Sequence, residues 1–208
     1  FINRKKTKYK TSFYYNINYD KDKKYDRIIF NLSNNQKLIY NDIRKFGFIK
    51  IFNRANLNQN AHLKNLGPEP LSVKFNSRYF KNYIKGRERT AKDLLMDQKF
   101  LSGLGNIYVN EILFFSGVRP AKKIKKLTNS EIQKIVKFSK KIITKAINLG
   151  GSSIKDFSSI GGKKGSFQQY FSVYGKKGEN CTKAKCAGRI KKIAIANRAT
   201  FFCNKCQK

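Results

Sequence analysis

The sequence predicts an α+β chain built of three successive parts: a β-rich beginning, a helical middle and a metal-binding end. Apolar residues alternate with polar ones over positions 25–52, which is typical of strands with one buried face. From position 73 the apolar spacing changes to the period of amphipathic helices. All four cysteines fall in two close pairs near the end of the chain, as in small metal-bound folds.

The composition restricts the possible function classes. The 208 residues carry 46 Lys and Arg against 12 Asp and Glu, for a net charge of +34. A compact chain with that self-repulsion needs a polyanionic partner. AT-rich coding also enriches lysine, so the charge indicates nucleic acid only in general. With 40% hydrophobic residues the chain can bury a core, which excludes a wholly disordered tail. No apolar run reaches the roughly 18–20 residues of a membrane span.

The first part is predicted to be a three-stranded meander. Its last two strands are placed at 37–41 and 46–52 by the alternation of apolar residues. A polar linker at 53–70 follows, and its two prolines prevent a continuous helix there. We therefore expect a domain boundary within this linker.

Four helices are predicted after the linker, at 73–85, 91–99, 107–116 and from Thr128 onward. Thr128 and Glu131 have the spacing of a capping box, in which each side chain bonds the other's backbone amide. The apolar stripe of this last helix is typical of ordinary core. A loop rich in Gly, Ser and Lys follows at 151–168, and a loop of that length is commonly functional.

The turn at 103–108 carries the sharpest local motif of the helical part. Its two glycines let the backbone approach a ligand closely, and Asn106 is placed to cap the next helix. The free amides and the dipole of that helix end favour a phosphate. A plain corner between two helices is the alternative interpretation of the same residues.

The cysteines predict one structural zinc site, formed by Cys181, Cys186, Cys203 and Cys206. Four thiolates fill every position of a tetrahedral Zn²⁺, so the ion would tie two β-hairpins together and would not activate water. The many Lys and Arg residues around the two pairs indicate a contact with DNA or RNA. Two disulfides or unused thiols are the alternative.

The run at 94–120, LLMDQKFLSGLGNIYVNEILFFSGVRP, resembles the helix-two-turn-helix segment of bacterial formamidopyrimidine-DNA glycosylase. Three further stretches match this family in the same order: YNDIRKFGF at 40–48, LGPEPLS at 66–72, and the cysteine-containing end at 173–208. The GGSSIKDF stretch at 150–157 is similar to the loop with which the family covers a flipped oxidised purine. It is less similar to the endonuclease VIII branch.

The resemblance implies four regions: the remaining part of an N-terminal β-sandwich at 1–58, a helix-two-turn-helix domain at 59–150, a lesion-capping loop at 151–172 and a zinc finger at 173–208. It also implies a monomer that acts on double-stranded DNA in base-excision repair. Such enzymes flip the damaged base out of the duplex and release oxidised purines such as 8-oxoguanine and formamidopyrimidines. They cut the strand by β,δ-elimination through a Schiff base on an N-terminal proline. The expected location is the bacterial cytoplasm, at the nucleoid, or an organelle of bacterial descent.

Site residues follow from the matched motifs one at a time. The resemblance implies that Arg44 enters the duplex and bonds the orphaned cytosine, and that Phe46 fills the gap in the base stack. Lys45 would hold a phosphate; the family often has arginine there, so the charge is kept and a bidentate grip is lost. A solvated strand edge for the two cations and a core position for the ring are the alternatives.

Further DNA contacts are implied for four residues of the helical part and the finger, Arg87, Lys92, Asn106 and Arg198. In the family, the arginine that matches Arg198 is credited with the proton transfer of δ-elimination. Because an arginine pKa lies above about 12, Arg198 is better suited to stabilise the leaving phosphate. The residues of the lesion-capping loop whose backbone amides would bond the flipped base are Gly165, Ser166 and Phe167.

Two departures from the family pattern bear on the chemistry. The first cysteine pair is Cys-x4-Cys, where the family usually has two intervening residues. The family's N-terminal proline, the glutamate after it and an early lysine are absent, so we expect the chain to be truncated and inactive by itself. Three alternatives stay open: an endonuclease VIII-like enzyme for oxidised pyrimidines, a non-catalytic DNA-binding protein on the same scaffold, and a basic zinc-ribbon protein of the ribosome.

Overall fold

The computed structural model describes residues 9–10, 16–17, 23–152 and 165–208. The chain divides into two compact units, the first within 1–54 and 148–169 and the second within 55–147 and 170–208. In the part of the chain that is described, no helix is both long and apolar enough to cross a membrane.

The first unit contains short antiparallel strand pairs. β1 (Tyr9–Lys10) pairs with β2 (Asn16–Ile17), and β3 (Asp26–Asn31) pairs with β4 (Lys37–Asn41) in a hairpin. The hairpin turn includes Asn35 with a φ of 58°, a conformation that asparagine tolerates better than most residues. Every residue of β3 after the first is exposed, so the hairpin buries little of its own apolar surface.

The prediction of a third strand at 46–52 is wrong, because the described structure has no strand over those residues. The side chain of Asp42 accepts the backbone amides of Arg44, Lys45 and Gly47 at 2.8–3.0 Å. These bonds fold the chain into a loop directly after β4. Apolar alternation does not report such local competition from a side chain for backbone amides.

The first two α-helices of the second unit follow a 3-10 helix at Arg54–Gln59 and are shorter than predicted. α1 covers Ser77–Ile84 and α2 covers Ala91–Met96. The side chains of Asn76 and Thr90 cap them by accepting backbone amides three residues further on. α2 ends before position 99 because the backbone becomes extended at Asp97.

Two longer helices follow. α3 (Asn106–Ser116) is buried over most of its surface. Gly117 ends it in the left-handed region with a φ of 73°, where a side chain would be strained. α4 (Asn129–Asn148) opens with the predicted capping box. The Glu131 amide donates to the Thr128 hydroxyl, and the Thr128 amide donates to the Glu131 carboxylate.

The end of the chain forms one hairpin, in which β5 (Ile190–Ile195) pairs with β6 (Arg198–Cys203). Its two turn residues both have positive φ, as in the common two-residue hairpin turns. The second predicted hairpin is wrong: the first cysteine pair lies on a loop closed by an isolated bridge between Asn180 and Arg189. The core shared by α3 and the finger contains Phe114, Val173, Ile190, Phe201 and Cys203.

Candidate nucleic-acid interface

The four cysteines come together at one point of the second unit. Their Sγ atoms all lie within 4.8 Å of one another, with 3.7 Å between Cys181 and Cys206 and 3.6 Å between Cys186 and Cys203. Thiolates about 2.3 Å from a tetrahedral Zn²⁺ would be about 3.8 Å apart, so this donor set fits such an ion. The wider Cys-x4-Cys knuckle therefore still closes.

Polar bonds anchor the cysteine cluster to the end of α3. The side chain of buried Gln207 accepts the Cys203 amide at 2.8 Å and donates to the Val118 carbonyl at 2.9 Å. The backbone of Lys208 bonds the residues on both sides of Val118, at 3.0 Å in each case. Lys183, inside the wider knuckle, donates to a carbonyl near the end of α3 at 2.8 Å. The finger is thus part of the helical unit rather than a free module.

A buried carboxylate joins α3 to the segment that leads into the finger. Glu111 accepts the backbone amides of Ser172, Val173 and Tyr174 at 2.9–3.0 Å. Burial raises the pKa of Glu111, and the three amides oppose that shift. Sequence reasoning missed this residue, although a single acid inside the otherwise apolar second half of α3 was an available signal.

Asn106 is directed toward the finger rather than toward its own helix end. Gly105 is the N-cap of α3, and the side-chain amide of Asn106 donates to the Ala199 carbonyl at 3.0 Å. The predicted capping role of Asn106 is therefore wrong. One turn further on, Asn110 accepts the Phe201 amide at 2.7 Å and donates to the Asn106 carbonyl at 2.6 Å. These bonds fix the first turn of α3 to β6.

The same bonds place Arg198 beside the first turn of α3. Arg198 is exposed and begins β6, next to the Ala199 that Asn106 holds. With Lys192 and Asn197 it lines an open depression of about 490 Å³ at the tip of the hairpin. Two cations at the tip of a hairpin that is bonded to the first turn of α3 form a surface that can hold backbone phosphates.

Lys92 lies behind this surface and is only 1% exposed. Its Nζ donates to the Ala199 carbonyl at 2.9 Å and to the Thr200 hydroxyl at 2.7 Å. Burial, followed by the charge of Arg198, lowers the pKa of Lys92 to about 8. The direct DNA contact predicted for Lys92 does not fit an enclosed amine. The residue instead holds the strand that carries Arg198.

Arg87 follows the end of α1 and is exposed. Its Nε donates to the Tyr83 carbonyl at 2.7 Å, and its guanidinium lies 4.4 Å from the centre of the Tyr83 ring. Within the described chain, no hydrogen bond or ring contact joins Arg87 to Asn106 or Arg198. The structure therefore orders this cation without bringing it into the network around β6.

In the first unit, Arg44, Lys45 and Phe46 lie on the loop that Asp42 closes, which we term the 42–47 loop. The Arg44 guanidinium lies 4.7 Å from the centre of the Phe46 ring, and Phe46 is 76% exposed. A core position for this ring does not fit the described structure. Sequence reasoning did not single out Asp42, the residue that shapes the loop.

Most of the predicted lesion-capping loop, residues 153–164, lies outside the described residues. Where the chain is described again, the amides of Ser166 and Phe167 donate to carbonyls just after α4, at 2.9 and 3.1 Å. Both amides are therefore used to close the base of the loop, which does not fit their predicted bonds to a flipped base. Gly165 lies so close to the carbonyls at 150–151 that a side chain would clash. The other stretches outside the described residues belong to the predicted first domain: 1–8, 11–15 and 18–22.

Comparison with known sequences identifies relatives of this chain. The model of the formamidopyrimidine-DNA glycosylase H2TH domain matches residues 66–158. The formamidopyrimidine-DNA glycosylase of a Ruegeria species is 38% identical over 185 residues, which cover 89% of this chain and 65% of that protein. The one from Rickettsia bellii is 40% identical over 186 residues, which cover 89% and 67%. The chain therefore spans less than two thirds of the length of the first of these relatives.

Solved structures are also similar to this chain, in both fold and sequence. A variant of the Lactococcus lactis Fpg protein, in complex with Fapy-dG containing DNA, matches with a TM-score of 0.80 and 35% identity over 88% of this chain and 66% of that one. The Fpg protein from Thermus thermophilus matches with a TM-score of 0.79 and 32% identity, over 88% and 68%. The likeness therefore covers both fold and sequence.

Proposed function

This chain belongs to the formamidopyrimidine-DNA glycosylase family, and on that premise we propose that it supplies the DNA-binding part of a base-excision repair enzyme. The activity is that of a bifunctional DNA glycosylase and abasic-site lyase, which releases 8-oxoguanine and formamidopyrimidines and cuts the strand by β,δ-elimination. It acts as a monomer on double-stranded DNA, at the bacterial nucleoid or in an organelle of bacterial descent. The observation that carries the proposal is the junction of α3 with β6, where the Asn106 side chain bonds the carbonyl of Ala199, the residue that follows Arg198.

The regions take their roles from this assignment. Residues 59–150 form the helix-two-turn-helix domain and residues 173–208 the zinc finger, with a lesion-capping loop at 151–172. Residues 1–58 belong to the β-sandwich domain. The support is the family match at 66–158 and the clustered cysteines of the finger.

Arg198 and the first turn of α3 hold the phosphates beside the lesion. Arg198 is exposed at the tip of the finger, and its guanidinium can bond two phosphate oxygens at once. When the strand breaks, the same cation stabilises the negative charge on the leaving phosphate. Asn106, whose side-chain amide donates to the Ala199 carbonyl, contacts a phosphate at this end of α3, and Arg87 adds a peripheral phosphate contact.

The 42–47 loop takes the place of the flipped base. Phe46 is already exposed, so its ring can enter the stack at little cost in lost packing and support the neighbouring base pairs. Arg44, stacked on that ring, bonds the orphaned cytosine, and Lys45 meets a nearby phosphate. Asp42 positions all three by holding the loop amides.

The metal is Zn²⁺, held by Cys181, Cys186, Cys203 and Cys206. Its role is structural, because four sulfur ligands leave no position for water or substrate. The support is the close approach of the four Sγ atoms, within 4.8 Å of one another.

In this family the base displacement uses the secondary amine of an N-terminal proline, which none of these residues supplies. The chain's three prolines, at 68, 70 and 120, all lie within the chain, so their nitrogens are amides rather than amines. We therefore assign DNA binding, base flipping and phosphate stabilisation to these residues, and the nucleophile to an N-terminal proline outside them.

Borohydride trapping on a duplex with 8-oxoguanine opposite cytosine tests this division. A chain extended upstream to begin with Pro-Glu should form a covalent adduct, while the 208 residues alone bind the duplex without one. An adduct from the 208 residues alone would mean that an internal lysine is the nucleophile. Stronger trapping on a duplex with an oxidised pyrimidine would instead favour the endonuclease VIII-like alternative.

Arg198→Ala tests the phosphate contact directly. We expect duplex affinity to fall by about 1.5–3 kcal/mol, because a charge-assisted bond is lost, and the salt slope to drop by about 1. Melting should be unchanged because the side chain is exposed. Arg189→Ala removes the same charge from another exposed finger position and is the control. Equal affinity of both variants would contradict the role of Arg198.

A further inference from the structure

The exposed face of α4 carries a line of cations that the proposed function does not use. Four lysines, Lys134, Lys137, Lys141 and Lys145, are all exposed, and we term them the α4 lysine row. The opposite face of the helix packs against the core. Its buried residues are Ile132, Ile135, Ser139, Ile142 and Ala146.

The spacing of the row makes it one continuous surface. Steps of three, four and four residues at 100° per residue keep all four side chains within an arc of about 80°, over about 16 Å of helix. The helix has a single acidic residue, Glu131, which is bonded to Lys122 and to the Thr128 amide. Among the described residues, no ion pair neutralises any lysine of the row.

This arrangement opposes helix stability. Lysines three or four positions apart repel each other and destabilise the helix. Abundant lysine alone does not explain it, because α4 has a fifth lysine, Lys140, which donates to the Ser72 carbonyl instead. At the end of the row, Lys145 lies 3.8 Å from the centre of the Tyr170 ring. The repulsion would be relieved by an anionic partner lying along the helix.

We propose that the α4 lysine row binds the phosphate backbone of a duplex DNA segment, separately from the interface at Asn106 and Arg198. Lysine ammonium groups are compact charges, and they bind the phosphates of a DNA backbone independently of the base sequence. Measured along the duplex axis, the phosphates of one strand recur about every 3.4 Å, so a row of about 16 Å parallel to that axis spans roughly five of them. The length of the row is therefore suited to a second segment of duplex DNA that is bound by charge alone.

Two observations favour DNA over other anionic partners and separate the row from the first interface. The arc of the row includes no large apolar side chain, which a protein hot spot or a membrane surface would use. In the described chain, no hydrogen bond, ion pair or ring contact joins the row to the first turn of α3 or to β6. On this proposal the chain holds one duplex at the finger and another on α4.

The test uses two variants with equal loss of charge. The row variant carries K134Q, K137Q, K141Q and K145Q, and the control variant carries K64Q, K74Q, K123Q and K126Q, all at exposed positions of the second unit. Glutamine and lysine have similar helix propensities, so both variants should fold, as circular dichroism would verify. The probes are two short undamaged duplexes, one with a donor fluorophore and one with an acceptor.

We expect the wild-type chain and the control variant to bring the two duplexes together and give energy transfer. The row variant should bind one duplex and give no transfer. In the chain with N106A and R198A, duplex binding should persist and should vanish when the row substitutions are added. The salt slope of that residual binding should be about −3 to −4, as for four phosphate contacts.

Several results would overturn the proposal. Equal loss of transfer in the control variant would mean that only diffuse charge matters. Transfer by the row variant would place the second segment elsewhere, and no transfer from any chain would place the row within the first interface. Displacement of the duplexes by polyglutamate at equal charge would point to an acidic protein instead. Borohydride trapping does not depend on the row, so failure here leaves the proposed function intact.

Discussion

The two candidate DNA-contacting regions are held in place in opposite ways. Around Arg198 the supporting polar side chains are buried and bond across about a hundred positions of sequence, as between Lys92 and Thr200. Around Arg44 the support is a loop of six residues closed by one carboxylate, Asp42. Changes near the finger should therefore alter stability, while changes in the 42–47 loop should alter recognition with little effect on folding.

The largest expected effect is that of Cys203→Ser, which removes one of the four sulfur atoms of the cysteine cluster. Cys203 is fully buried, and a structural zinc site contributes directly to folding. We expect the variant to lose its zinc, the finger to melt and the duplex contact at Arg198 to be lost. Zinc content and thermal melting measure this, with Lys205→Ser, at an exposed neighbouring position, as the control. A variant that keeps its zinc and melts normally would show that Cys203 is not a ligand of the metal.

Glu111→Ala should rank second, because it leaves three amides, two of them buried, without an acceptor. Each unsatisfied buried donor costs about 1–3 kcal/mol, so we expect a loss of about 3–5 kcal/mol in the free energy of unfolding. Glu111→Gln keeps one acceptor oxygen and should lose less. Urea denaturation compares the three chains, and a loss below about 1 kcal/mol for Glu111→Ala would mean that water replaces the carboxylate.

Lys92 should give the second unit a pH dependence that Lys92→Met lacks. The pKa of Lys92 is about 8 in the folded chain against an ordinary 10.5, so the unfolded chain binds more protons between these values. Folding stability attributable to Lys92 is therefore lowest below pH 8 and rises between pH 8 and 10.5. Relative to Lys92→Met, we expect the wild type to gain about 2.5 kcal/mol across this window. Parallel stability curves for the two chains would show that the amine is hydrated.

The smallest effect on stability should come from Arg44→Ala in the 42–47 loop. Its guanidinium stacks only on an exposed ring, so melting should shift little. Selectivity for cytosine opposite an abasic analogue should fall by about 1–3 kcal/mol, since a base contact is lost. Binding to duplexes with each of the four opposite bases measures it, with Arg54→Ala as an exposed control. An unchanged order of preference for the four opposite bases would mean that Arg44 does not contact the orphaned cytosine.

Sequence reasoning succeeded where the interactions are local. The capping box of α4 and the metal-ligand spacing of the cysteines involve short stretches of chain, and both assemble as expected. The resemblance to a known family, carried by ordered motifs, supplied the general fold.

The errors have a common physical cause, since each wrong residue forms a bond that periodicity does not report. Asn106 bonds a carbonyl 93 positions away rather than its own helix end. The sequence predicts that Lys92 is a surface cation, but the finger encloses its amine. The strand predicted at 46–52 does not form, and the Asp42 carboxylate accepts three backbone amides that fold the chain into a loop there. Side-chain partners set these positions, and a local pattern does not identify partners.

The bonds of Glu111 also determine when the second unit can finish folding. Its three amide partners lie 61 to 63 positions later in the chain, and ribosomes add about 5–20 residues per second. The apolar α3 and its carboxylate therefore wait for roughly 3–12 seconds in the cell before their partners are synthesised. During that interval the helix is a natural substrate for chaperones. The DNA-contacting surface at Arg198 is consequently completed only after residues 172–203 have been synthesised and have packed against α3.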